Sequence, residues 1–238
     1  MHTPMQQQAF NQASGTLYLV STPLGNLEDI TFRAVRTLSE VDLIAAEDTR
    51  RAKKLLGHYR ITTPLTSYFA HSSIKKTHAL LSQLKDGKNI ALISEAGTPS
   101  ISDPGYLLTR HAIDQHIKVV PIPGPTALIA ALSASGLTTR SFTFEGFIPR
   151  KAGKRETLLL SLRDQPRTLI FYESPRRLVA TLHSLMAVLG DRQIVIAREM
   201  TKVFEEMIRG SISEVTALLA AKTIRGEVTI VVSGCPAE

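Results

Sequence analysis

Acidic residues stand at the ends of short apolar runs in the first half of the chain. Glu47 closes the run Leu43–Glu47 and Asp48 follows it, Glu95 follows Asn89–Ser94, and Asp103 lies a few residues on. Each falls in a turn, and four such turns follow predicted strands. They are Ser21–Leu27, Ala46–Arg50, Ser94–Gly105 and Pro123–Ala127. Open α/β sheets bind ligands at this carboxyl edge, where Gly and small residues let a ligand approach the backbone. Any one Pro-Gly turn can simply join a strand to a helix; four together, with one as long as 94–105, point to a site. No Gly-x-x-x-x-Gly-Lys-Ser/Thr occurs, and no Gly-x-Gly-x-x-Gly follows the first strand, so these are not phosphate loops. Gathered carboxylates repel a triphosphate and suit a ligand with a cationic centre, such as a sulfonium. Asp48 and Asp103 have a second reading as caps of the helices that follow them.

A second group of acids and bases lies at Arg198, Glu199 and Lys202. Glu47, Asp48 and Glu199 are candidate general bases, and Lys202 or Arg198 could stabilise an oxyanion. Arg198 and Glu199 read equally as an ion pair. Basic residues cluster at Arg50, Arg51, Lys53 and Lys54, at Arg150, Lys151, Lys154 and Arg155, and at Arg176 with Arg177. The 149–155 segment reads as an RNA-contacting loop. Phe144 and Phe147 just upstream are either a stacking surface for a splayed base or core residues. Arg176–Arg177 reads as a solvated helix face. The net charge of +7 suggests a polyanionic partner, although many intracellular proteins are basic without one.

These residues need a scaffold, and strand-like runs alternating with helical patterns supply it. Strands are predicted at Leu17–Ser21, Leu43–Glu47, Asn89–Ser94, Lys118–Ile122, Phe142–Ile148, Thr168–Tyr172, Gln193–Arg198 and Glu227–Ser233. The first four read as buried on both faces. Leu178–Leu189 keeps a helical rhythm, opened by Ser174-Pro175 and closed by Gly190. Ser211 and Glu214 have capping-box spacing, and Ile74–Leu84 forms another helix ended by Gly87. The fold class is therefore α/β: two small domains, 15–123 with a parallel open sheet and 124–238 with a mixed sheet, and a cleft between them. Residues 1–14 are polar, Gln-rich and lack a signal peptide's apolar core, so a disordered leader is expected. No apolar stretch is long enough for a membrane span, and a membrane role is not expected. The one cysteine, Cys235, rules out an internal disulfide and a cysteine-based zinc site, and fits a cytoplasmic protein.

Longer strings are more specific than any single turn. Thr-Pro-Leu-Gly-Asn-Leu-Glu-Asp-Ile-Thr (22–31), Ala-Ala-Glu-Asp-Thr-Arg (45–50), Ile-Ser-Glu-Ala-Gly-Thr-Pro-Ser-Ile-Ser-Asp-Pro-Gly (93–105) and Pro-Ile-Pro-Gly-Pro-Thr-Ala (121–127) are four of them. Phe-Glu-Gly-Phe-Ile-Pro-Arg-Lys (144–151), Phe-Tyr-Glu-Ser-Pro-Arg-Arg (171–177) and Ala-Arg-Glu-Met-Thr-Lys (197–202) complete the set. Together they resemble the small-subunit (16S) ribosomal RNA cytidine 2′-O-methyltransferases, a family of the tetrapyrrole-methylase-like (class III) S-adenosylmethionine-dependent enzymes. The resemblance runs from about Gly15 to Gly234. It implies a cytoplasmic homodimer that methylates a ribose 2′-hydroxyl in small-subunit ribosomal RNA or the assembled subunit. S-adenosylmethionine would lie in the interdomain cleft. The resemblance assigns the cofactor to Glu95, Ala96 and Gly97, Thr126 and Ala127, and Phe171 and Tyr172, with Leu24, Gly25 and Thr229 as further contacts. Arg50 joins Arg150, Lys151, Lys154 and Arg155 as expected RNA contacts. A divalent metal is compatible with the acids but not required, and no metal ligands are assigned. Two other functions fit the same residues: methylation of a small tetrapyrrole, and a non-enzymatic RNA-binding role in ribosome assembly. Members of the family usually continue past the equivalent of Gly234 into a helical extension. This chain stops at Glu238, as a short member or a truncated one, which bears on RNA affinity more than on the cofactor.

Overall fold

A computed structural model describes residues 14–69, 74–103 and 105–236, so most of the expected leader lies outside the described residues. The chain forms two compact units that divide between Pro125 and Thr126.

The first unit alternates strand and helix: β1 (Thr16–Val20), α1 (Phe32–Glu40), β2 (Leu43–Ala46), α2 (Thr49–His58), β3 (Leu65–Ser67), α3 (Ile74–Lys85), β4 (Ile90–Ile93), α4 (Tyr106–Asp114) and β5 (Lys118–Ile122). The sheet is parallel, in the order β3-β2-β4-β1-β5. Successive side chains of a strand point to opposite faces, and here both faces are covered. Ala91 and Ile93 pack with Ala34 and Leu38 of α1 and Ala52 and Leu56 of α2. Ile90 and Leu92 pack with Leu80 and Leu84 of α3 and Leu108 and Ala112 of α4. The sequence expectation of double burial fails at β5. It is an edge strand with Lys118 and Pro121 exposed, a place where proline's missing N–H does no harm. The other edge, β3, has only three residues and was not anticipated.

The second unit contains α5 (Ala127–Ser135), β6 (Phe142–Phe147), α6 (Ala152–Ser161), β7 (Thr168–Glu173), α7 (Leu178–Leu189), β8 (Gln193–Arg198), β9 (Glu206–Ser211), α8 (Ile212–Ala220) and β10 (Val228–Val232). Its sheet runs β6-β7-β10-β8-β9, parallel only between β6 and β7. It is mixed, as expected. One face buries Phe171, Ile196 and Ile230 against α7 and α8, and the other buries Ile170, Val195 and Val231 against α5. The caps predicted at Gly190 and at Ser211 with Glu214 form, whereas Ser174-Pro175 opens a short 3-10 turn, Pro175–Arg177, without a side-chain cap. Gly190 ends α7 at φ +79°, and Ser211 and Glu214 exchange their capping hydrogen bonds at 3.3 and 2.8 Å. Among the described residues no helix is long and apolar enough to cross a membrane.

Candidate active site

Three of the four turns are laced together at the carboxyl edge of the first sheet. Thr22 and Gly97 exchange backbone hydrogen bonds, both 2.9 Å. The Thr22 hydroxyl donates to the Ser94 carbonyl at 3.3 Å, and the Ser94 hydroxyl lies 3.1 Å from the Gly97 carbonyl. Thr98 shares a hydrogen bond with Ser21 at 3.2 Å and donates to the Pro125 carbonyl at 3.3 Å. Gly97 sits at φ +84°, and a Cβ there would come within 3.3 Å of Leu24 and 3.6 Å of the Pro125 carbonyl. The turn thus needs glycine for its backbone conformation and keeps bare main chain beside Leu24. Gly25 is exposed, Ala96 is half-buried, and Leu24 is buried. A cleft of about 140 Å³ between the first turn, α2 and Ser94–Glu95 is too small for a whole nucleoside.

The second turn brings the charges. Burial pushes the Glu47 carboxyl up to about 7, with help from the negative charges of Asp103 and Glu95 and against the pull of Arg51. Burial likewise raises Asp103 to about 6, opposed by hydrogen bonding with Ser94 and assisted by Glu95. Arg51 pairs with Glu95 at 2.9 Å. Asp48 has the other role foreseen for it: its carboxylate caps α2, accepting from the Arg50 and Arg51 N–H groups at 2.7 and 3.4 Å. Those backbone bonds hold its pKa below the usual range, so it is a poor proton acceptor compared with Glu47. Asp103 is not a cap; Gly105 occupies that position before α4. Sequence reasoning gives neither Ser94, which opens the third turn, nor Arg51, one of the 50–54 cations, a role of its own in this site. Their nearness in sequence to Glu95 and to Asp48 is the available signal. Among the described residues, no three His, Cys, Asp or Glu side chains gather as a metal site.

In the second unit, Thr126 and Ala127 open α5 half-buried, and the Tyr172 hydroxyl accepts from the next amide, Leu128, at 3.2 Å. Thr229 lies opposite Tyr172 in the ladder. Phe171 does not join them. Strand alternation turns its side chain into the α7–α8 core, where it is fully buried, so only its backbone remains available to a ligand.

The turn after β8 departs from expectation. Arg198 does not pair with Glu199 but with Glu206, 2.9 Å away and directly across the β8–β9 ladder. Glu199 accepts from Lys202 at 2.8 Å and from the Glu227 amide at 3.0 Å. The Lys202 bond holds Glu199 below the usual carboxylate range. Burial works to lower Lys202, but its bonds to Glu199 and Glu227 outweigh this and raise it. Both catalytic candidates of this turn are thus engaged in an internal network.

Arg150, Lys151 and Lys154 are exposed and Arg155 is partly so. The expected loop is in fact the start of a helix: Lys151 is the residue before α6, and Lys154 and Arg155 lie in its first turn. Phe144 packs partly into the α5 cluster, whereas Phe147 is 59% exposed, so the two expected alternatives divide between them. Arg177 is no solvated residue. It pairs at 3.1 Å with Glu173, whose side chain is fully buried. Arg50 extends into solvent, 3.6 Å from Asp48.

A parallel sheet with a turn-rich carboxyl edge, followed by a mixed-sheet unit, defines a class that the comparisons identify. The chain belongs to the tetrapyrrole (corrin/porphyrin) methylases, whose family model matches residues 16–216. Cobalt precorrin-4 methyltransferase shares the fold at TM-score 0.69 with 16% identity, over 92% of this chain and 94% of that one. Diphthine synthase does so at 0.69 with 13% identity, over 92% and 90%.

Within the class, the chain is a member of the family of proteins named ribosomal RNA small subunit methyltransferase I. It is 50% identical to the Halalkalibacterium halodurans protein over 96% of this chain and 80% of that one. It is 49% identical to the Bacillus subtilis protein over 96% and 79%. The Thermotoga maritima relative, also 49% identical, is spanned over 99% of its length by 92% of this chain. The family therefore includes a protein without a long extension beyond the matched region.

Proposed function

We propose that this chain transfers a methyl group from S-adenosylmethionine to the ribose 2′-hydroxyl of a cytidine in small-subunit (16S) ribosomal RNA. The observation that carries this is the identity of about half, across nearly the whole chain, with proteins named for small-subunit ribosomal RNA methylation. The residues present fit the donor. Gly97 offers bare backbone beside Leu24, and the like-charged acids that repel one another at Glu47 would be relieved by a nearby cation. Glu95, Ala96, Gly97, Leu24 and Gly25 would hold it, and Thr126, Ala127, Tyr172 and Thr229 are carried as further proposed contacts. When bound, S-adenosylmethionine supplies an electrophilic methyl group on a sulfonium. The protein must position the hydroxyl oxygen and take its proton. Glu47 suits the second task, because a carboxyl that titrates near 7 is matched to proton transfer at neutral pH. Arg150, Lys151, Lys154 and Arg155, with Arg50, would grip the RNA backbone.

Labelled methyl transfer to isolated small ribosomal subunits, run beside free tetrapyrrole, tests the reading. Labelled subunit RNA is the expected product; label on the tetrapyrrole alone would overturn it. Calorimetry with S-adenosylmethionine separates both enzymes from a non-catalytic assembly factor. We also propose a cytoplasmic homodimer. Light scattering should give about twice the monomer's 26.1 kDa, and a monomer stable at micromolar concentration would refute the dimer.

A further inference from the structure

The β6–β7 ladder is interrupted at Glu145–Gly146. Phe144 pairs with Ile170 and Phe147 with Tyr172, so β6 spends three steps where β7 spends two. In an unbroken strand, residues three apart point to opposite faces. The extra residue cancels that alternation, and Gly146 at φ +67° allows it. Both phenylalanine rings therefore meet Tyr172, with centroids 4.9 and 5.6 Å from its own and interplanar angles of 67° and 62°. Phe144 is the inner ring, packed into the α5 cluster; Phe147 is the outer one, open to solvent.

A lone exposed phenylalanine needs no explanation. This one is braced. The Ile148 amide donates to the Tyr172 carbonyl at 3.3 Å. One terminal nitrogen of Arg177 reaches the Ile148 and Pro149 carbonyls at 2.8 and 3.2 Å as well as the Glu173 carboxylate. That buried carboxylate also accepts from the Ser174 amide and the Thr181 hydroxyl, both at 2.6 Å. The chain leaving Phe147 is thus fixed for two residues, after which four cations follow with no acid between 146 and 155. None of the four forms an ion pair among the described residues. On its inner side the aromatic group is tied through Tyr172 to Leu128, beside the Thr126–Ala127 turn.

We propose that Phe147 is a stacking platform for an unpaired nucleobase of the RNA, held by the bulge and the Arg177 clamp at a fixed place beside the phosphate-gripping cations. The proposal rests on the RNA methyltransferase reading. A π-face takes any base, and cations one turn away take the flanking phosphates. The test compares the parent with Phe147→Leu and Phe147→Trp. Binding of a short, cytidine-rich single-stranded RNA is followed by fluorescence anisotropy across a salt series. Methyl transfer to small subunits and light scattering are recorded on the same samples. Phe147→Leu should weaken binding about tenfold at every salt concentration, leaving the log–log slope intact, because stacking releases no counterions. Phe147→Trp should bind as well as the parent. Parent-like binding by Phe147→Leu, in a parent that methylates subunits, overturns the platform and spares the enzymatic reading. Loss of the dimer in Phe147→Leu, with RNA affinity falling only as the dimer falls, also overturns it and makes Phe147 a subunit contact. A parent that neither binds the RNA nor methylates subunits overturns both.

Discussion

Two collections of like charge, one on each unit, contrast in sign and in setting. On the first unit, Glu47, Glu95 and Asp103 share the sheet edge with Arg51 as their counter-charge. On the second, Arg150, Lys151, Lys154 and Arg155 crowd the start of α6. Other charges form discrete ion pairs: Arg198 with Glu206, Lys202 with Glu199 and Glu227, Arg110 with Asp114. Gathered like charge destabilises a fold, which makes both collections candidates for ligand-facing surfaces. The two collections differ in burial. Glu47 and Asp103 are half-buried and their titration is shifted, with the exposed Glu95 beside them; the cations stand in water, where they act by long-range attraction. The first suits a small cationic ligand at close quarters, the second a polyanion.

The harshest way to break the comparison is to close the acidic edge. Gly97→Val places a branched Cβ at φ +84°, toward Leu24 and the Pro125 carbonyl. Strain of this kind costs about 1–3 kcal/mol, and the branch fills the ligand's approach. S-adenosylmethionine affinity by calorimetry should be lost in a variant that remains folded by circular dichroism. RNA binding, which belongs to the other collection, should persist. Unchanged donor affinity would remove this turn from the site.

The cationic collection breaks more gently. With Arg150, Lys151, Lys154 and Arg155 all replaced by Ala, donor affinity should hold while RNA binding weakens and its salt dependence flattens. Each lost phosphate contact removes roughly 0.7 to 0.9 from the log–log slope. Methyl transfer should fall mainly through the apparent affinity for RNA. Exposed charges contribute little to stability, so the variant should fold. An identical slope in variant and parent would reduce this group to a solvated helix start.

Local chemistry is legible in the sequence, and long-range geometry is not. Ser211 with Glu214, and Gly190, announce their caps because the partners lie within one turn of chain. The start of α6 reads as loop in the sequence, because Pro149 and Gly153 are turn residues by propensity. Packing of Leu159 into the core outweighs them. Arg198 and Glu199 are neighbours in sequence, but Glu206 stands directly across from Arg198 in the ladder and takes the pair instead. Gly146 was the one visible sign of the bulge, as an isolated glycine in a strand often is. The Glu173–Arg177 clamp gave no sign in sequence beyond an acid and an arginine four residues apart.

The finest test asks whether the acids of the first unit are as crowded as the structure makes them. Glu47 titrates at about 7 in the folded chain against an ordinary 4.5, so the folded state holds this proton more tightly than the unfolded one. Stability from the protonated group is complete below about 4.5 and is lost as pH rises through about 7. Glu47→Gln has no proton to lose. Its unfolding midpoint should therefore gain on the parent's from pH 4.5 upward, with the gap levelling above about 7. Asp103 titrates in both proteins, so most of its contribution cancels from the difference. Glu47 is only half-buried and solvent screens the repulsion, which keeps the gap small. Arg51→Ala should widen the gap when combined with the same comparison, because Arg51 is the one charge that lowers Glu47. A gap independent of pH would mean that Glu47 ionises like any surface carboxylate. It would then have no claim as the base poised near neutrality, and the acids would not be crowded at all.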